Sequence, residues 1–176
     1  MFYKINRNAS MVFATVLIVI LCLIDQYTKL LAVNFLKDSS DYILIPGVLQ
    51  LHYLENTGAA FSLLEGKQLL FAVLTPIFLV ALVVILFKMP QDKKYLLLDY
   101  IIIFLIAGAI GNYIDRISNN YVVDFIYFSL INFPVFNVAD IYVTCAVFAL
   151  LIAILFVYKD EDLEEIKNSI RKKKNG

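Results

Sequence analysis

The chain has 176 residues, 61% of them hydrophobic and 17% charged, with a mean hydropathy of +0.80 and 15 basic residues balancing 15 acidic ones. That composition excludes an ordinary soluble globular domain, and one histidine, His52, excludes a multi-histidine metal site. Runs of about 20 apolar residues, the length that crosses a bilayer, account for the excess.

The first run extends from about Met11 to Phe35. Lys4 and Arg7 precede it as in a signal peptide, but no small-x-small cleavage site follows. The run continues into D-Q-Y-T-K-L-L-A-V, so it reads as a retained span. Asp25 and Lys29 lie four apart in it, acid first, the favourable order for a helical ion pair. They read as either a structural salt bridge near the outer interface or part of a site, because an ionisable residue inside a span costs on the order of 3 kcal/mol unless paired.

After it, Y-I-L-I-P-G-V-L-Q-L-H-Y-L-E-N alternates Leu49, Leu51 and Tyr53 against Gln50 and His52 behind a Pro46-Gly47 turn. This predicts a small hairpin-like sheet with one apolar face, either a cradle for an extended peptide or a cap on the bundle. In E-N-T-G-A-A-F-S-L-L-E-G, Asn56 and Gly58 read as a turn, and Tyr53 to Leu64 is expected to be a loop that moves as a flap.

Span two is predicted from about Leu69 to Phe87 and span three from about Tyr95 to Ile114. The latter ends in G-A-I-G-N-Y-I-D-R-I, which puts Asn112, Asp115 and Arg116 on one helix face. Arg116 meets the negative end of the helix dipole, and Gly108 and Gly111 permit close helix packing. Span four is predicted from about Val138 to Tyr158, with Asn137 as its cap and Asp140 in its first turn. Cys22 and Cys145 fall within spans, lack C-x-x-C spacing, and are expected to be packing residues.

Asp124 sits in the outer loop leading to span four, sixteen residues before Asp140, and on the same side of the membrane. That separation lets the two carboxyls meet. Two such groups in a low-dielectric site share one proton, so one serves as base and the other as acid, the pair of roles peptide hydrolysis needs. Asp140, near a helix N-terminus, is expected to be the carboxylate and Asp124 its protonated partner.

Eleven of the fifteen basic residues lie before span one, between spans two and three, or in the mixed-charge tail from residue 159 to 176. Lys and Arg collect in cytoplasmic loops, which puts both termini inside and residues 36–68 and 115–137 outside. The expected architecture is a single domain, residues 1–176: an all-α four-helix membrane bundle with a small extracytoplasmic sheet and a solvated tail.

Five motifs in order, D-Q-Y-T-K (25–29), N-T-G-A-A-F (56–61), G-N-Y-I-D-R (111–116), V-V-D-F (122–125) and F-N-V-A-D (136–140), make the chain resemble the lipoprotein signal peptidases, or signal peptidase II. The resemblance covers nearly the whole chain. It implies an aspartic peptidase of the bacterial cytoplasmic membrane that removes signal peptides from prolipoproteins just before a diacylglyceryl-modified cysteine. It also implies a catalytic dyad at Asp124 and Asp140, supported by Asp25, Lys29, Asn56, Gly58, Asn112, Asp115, Arg116 and Asn137. No metal or other cofactor is implied, the partners are lipidated substrate and membrane lipid, and no nucleic acid is expected. Oligomeric state is not set by the sequence, and a monomer satisfies it. The chain departs from the pattern at Ile141, where the family often carries a small hydroxyl residue.

Two other classes remain open on the acids alone: a small proton-coupled transporter or ion-binding bundle, and a non-enzymatic assembly factor. The first predicts acids at mid-span depth or a discontinuous helix. The second predicts that Asp124→Asn is harmless.

Overall fold

The computed structural model describes residues 6–58 and 68–171. In chain order these form α1 (Arg7–Leu36), β1 (Tyr42–Ile45), β2 (Leu49–Asn56), α2 (Gln68–Lys88), α3 (Leu96–Asn119), β3 (Val122–Tyr127), α4 (Val138–Ile152) and α5 (Asp160–Arg171). One π-helical turn, Ala153–Val157, extends α4. Helices α1 to α4 are long and apolar enough to cross a membrane.

α3 is the central helix. Half of its apolar window is buried, against 17% for α1 and 11% each for α2 and α4. The other three helices surround it and turn residues such as Leu23, Val80 and Leu155 outward, as expected where lipid rather than water is the solvent. Gly108 sets how closely α4 approaches, because a Cβ there would lie 2.6 Å from the Ala139 carbonyl oxygen.

The strands form an antiparallel sheet in the order β1-β2-β3. Its hairpin turns at Gly47, whose φ of +69° is one that L side chains rarely adopt. A cluster of Ala32, Val123 and Phe125, with Leu51 and Tyr53 against it, seats the sheet on the end of α1. β3 replaces the loop expected around Asp124. Val122 to Phe125 are all buried, so this strand shows no alternation to reveal it.

At the opposite end of the bundle, the tail expected to be solvated forms α5. Its Leu163 and Ile166 pack against the main core, and Lys88 Nζ donates to the Ile170 carbonyl at 2.6 Å. Of the segment expected to move as a flap, Tyr53 to Asn56 belong to β2, and residues 59–64 lie outside the described residues, as does the basic cluster at 172–174.

Candidate active site

Asp124 lies in β3 opposite Leu54 of β2 and has no exposed surface. Asp140 lies in the first turn of α4, where Asn137 caps the helix. The Asn137 side-chain oxygen accepts from Asp140 N at 3.0 Å, and Asp140 Oδ2 accepts from Asn137 N at 3.1 Å, a reciprocal pair that fixes the turn. Asn137 Nδ2 then donates to Asp124 Oδ1 at 2.7 Å, so one capping residue joins the two acids.

Two further amides complete the shell. Asn56, ending β2, donates to Asp124 Oδ2 at 2.7 Å and is itself oriented by Gly58 N at 2.8 Å. Asn112 of α3 donates to Asp140 Oδ1 at 2.8 Å. Burial, and then the charge of Asp140, push the Asp124 carboxyl up to about 7, with the Asn56 and Asn137 bonds pulling the other way.

Behind the acids lies a buried ionic group. Lys29 Nζ is 2.9 Å from Asp25 and 3.1 Å from Asp115, with all three side chains almost fully enclosed. Asp25 accepts Ala139 N at 2.9 Å and Asp115 accepts Val123 N at 3.0 Å. Each of these acids thus holds the backbone of the residue just before Asp140 or Asp124. Gln26 joins them, donating to Asp25, Asp115 and the Gly111 carbonyl. Gly111 leaves room for this, since a Cβ there would meet Asp25 Oδ2 at 2.5 Å.

The structure divides the face that the sequence assigns to one cluster. Asp115 turns to Lys29 and β3, whereas Asn112 and Arg116 border a cavity of about 770 Å³ that Asp124 and Asp140 also line. Arg116 donates to the Gly58 carbonyl at 3.3 Å and stacks over Phe71. Gly58 therefore meets the site through its backbone, while Asp25, Lys29, Asp115 and Asn137 stand behind the cavity wall. Ile141 lines the cavity, and so does Cys145, which is exposed to it rather than packed as expected. Gln26 is the residue the sequence reading missed; its signal is a polar side chain within a span, three residues before Lys29. Among the described residues no cluster of His, Cys, Asp or Glu is placed to hold a metal ion.

A family model described as Signal peptidase (SPase) II matches residues 17–156. A lipoprotein signal peptidase of Streptococcus pneumoniae is 42% identical over 144 residues, covering 81% of this chain and 93% of its own length. One of Enterococcus faecalis is 41% identical, covering 82% and 88%. The fold is similar to that of a bacterial membrane enzyme solved by the in meso method, with a TM-score of 0.76, 32% identity and 98% of each chain covered.

Proposed function

This chain belongs to the signal peptidase II family, and we propose that Asp124 and Asp140 are the dyad with which it cleaves prolipoproteins before a diacylglyceryl-modified cysteine. It is a multi-pass membrane protease of aspartic type. The observation that carries the residue assignment is the meeting of two acids from separate elements, bridged by Asn137, at one cavity. A proton-coupled transporter or ion-binding bundle is not favoured, since the relatives are peptidases and the acids gather at one end of the spans.

One proton is shared by the dyad. Asp124 holds it at rest, since burial and then the charge of Asp140 push its carboxyl up to about 7, and Asp140 is the anion, stabilised at the N-terminus of α4. Asp140 takes a proton from the water as its oxygen attacks the scissile carbonyl, and Asp124 protonates the departing amine. Asn56, Asn112 and Asn137 hold the carboxyls in place, Asp25, Lys29 and Asp115 anchor the backbone behind them, and Arg116 and Gly58 close one side of the cavity. The apolar wall formed by Leu74, Phe78 and Val143 receives the lipid-bearing substrate.

The whole chain, residues 1–176, acts as one domain in the cytoplasmic membrane of a bacterium, with its site on the outer face and both termini inside. A lipid-anchored cysteine presents its preceding bond at that depth. The test is cleavage of a prolipoprotein peptide in detergent, with and without diacylglycerol, by wild type, Asp124→Asn and Asp140→Asn, each checked for folding. Cleavage of the lipidated peptide alone, reduced roughly 10³-fold or more in both variants, is expected. Turnover by either folded variant at the wild-type rate rules the dyad out.

A further inference from the structure

The direction of each hydrogen bond at the dyad follows from groups that can only donate. An ammonium or a backbone N–H has no acceptor, and an amide side chain has one accepting oxygen opposite its NH₂. Asp140 N at 3.0 Å fixes the oxygen of Asn137, so its NH₂ faces Asp124 Oδ1. Gly58 N fixes the oxygen of Asn56, so its NH₂ faces Asp124 Oδ2. Asn137 N donates to Asp140 Oδ2. These three directions are set by backbone.

The fourth is set by a side chain. Lys29 Nζ lies 2.9 Å from Asn112 Oδ1, which leaves the Asn112 NH₂ facing Asp140 Oδ1 at 2.8 Å. Asn112 Oδ1 also accepts the second N–H of the Asn137 NH₂, at 3.1 Å, a longer bond than the one from Lys29. All four carboxylate oxygens of the dyad therefore accept an N–H, and the shared proton occupies a lone pair that these donors leave open.

We propose that Lys29 is a positioning residue for hydrolysis: acting through Asn112, its ammonium forces an N–H toward Asp140 and so keeps Asp140 the accepting member of the dyad. The inference rests on the dyad reading and deepens it. The charged groups around Asn112 are Asp25 and Lys29 of α1, Asp115 and Arg116 of α3, Asp124 of β3 and Asp140 of α4. Asp25 and Asp115 act here as the seat that holds the ammonium in reach of Asn112. Without that ammonium the Asn112 oxygen keeps only the longer bond from Asn137, and turning it to Asp140 gives a geometry that only a protonated Asp140 satisfies.

The test is the double variant Lys29→Met with Asp115→Asn. It keeps the formal charge of the buried group Asp25, Lys29 and Asp115 at −1, and the new amide oxygen still accepts Val123 N. In the folded double variant kcat should fall roughly tenfold with KM little changed, and the acidic limb of the pH profile should move up by about one unit. A wild-type kcat and pH profile overturn the proposal and leave Lys29 a counter-ion only, while the Asp124→Asn and Asp140→Asn results judge the dyad separately. If the double variant does not fold, asparagine-selective ¹⁵N labelling of the wild type decides. The Asn112 side-chain amide should be protected from exchange and shift as the dyad titrates; free exchange with no pH response overturns the proposal.

Discussion

Each end of the bundle holds one lysine between two acids. Lys29 is 2.9 and 3.1 Å from Asp25 and Asp115, and Lys94 is 3.0 and 2.8 Å from Asp162 and Glu165. The distances match, but Lys29 is 3% exposed and Lys94 38%. Distance therefore does not rank these groups; surroundings do. An exposed pair exchanges water for a partner at nearly equal free energy. A buried group has lost its water, and each of its acids must find additional donors, here Ala139 N and Val123 N. The enclosed triad is thereby tied to the backbone beside the dyad, whereas the exposed one ties α5 to the start of α3.

Lys29→Met leaves Asp25 and Asp115 facing each other without a cation, and a loss of about 3–5 kcal/mol is expected in detergent unfolding. A melting temperature equal to wild type would show that the buried triad matters no more than the exposed one. Gly111→Ala strikes the same group sterically, since its Cβ would sit 2.5 Å from Asp25 Oδ2. A loss of about 1–3 kcal/mol is expected, with cleavage reduced as Ala139 loses its acceptor.

A pH-dependent effect also separates the two ends. The folded chain holds the Asp124 proton to about 7, against an ordinary value of 3.8. Between those values the folded state binds more protons than the unfolded one, so this group's contribution to stability falls as pH rises and is fully lost above about 7. The wild-type melting temperature should decline across that window more steeply than that of Asp124→Asn, and cleavage should decline above about 7 as the second acid ionises. Parallel melting curves for the two proteins contradict the assignment. Least of all, Lys94→Met should leave the melting temperature within measurement error, even at low salt.

Much of this was legible in the chain because the spans announce themselves by length, and because acids in apolar surroundings demand a reason. Asp124 and Asp140 stand out on that ground. β3 was not legible: V-V-D-F-I-Y is covered on both faces where it carries Asp124, which erases the period of two. The end of α3 was misplaced because Asn112, Asp115 and Arg116 look like a helix giving way to a loop. The helix instead runs to Asn119 and stops at Asn120, whose φ of +64° ends it. Spacing put those three polar residues on one face, yet an arc of one face is wide enough for Asp115 to meet α1 while Asn112 and Arg116 meet the cavity. Gln26 was passed over because its partners, Asp115 and Gly111, are more than 80 residues away.

The reciprocal cap at the start of α4 has a consequence for timing. Asp140 is both a member of the proposed dyad and the residue that closes its own helix onto Asn137. The bond that starts the helix is the bond that aims the acid, and the same Asn137 reaches Asp124 only once that turn has formed. A nascent chain with α4 unformed thus carries two unrelated aspartates rather than a loose version of the site. Closing that turn and bringing Asn137 between the two acids are therefore one step.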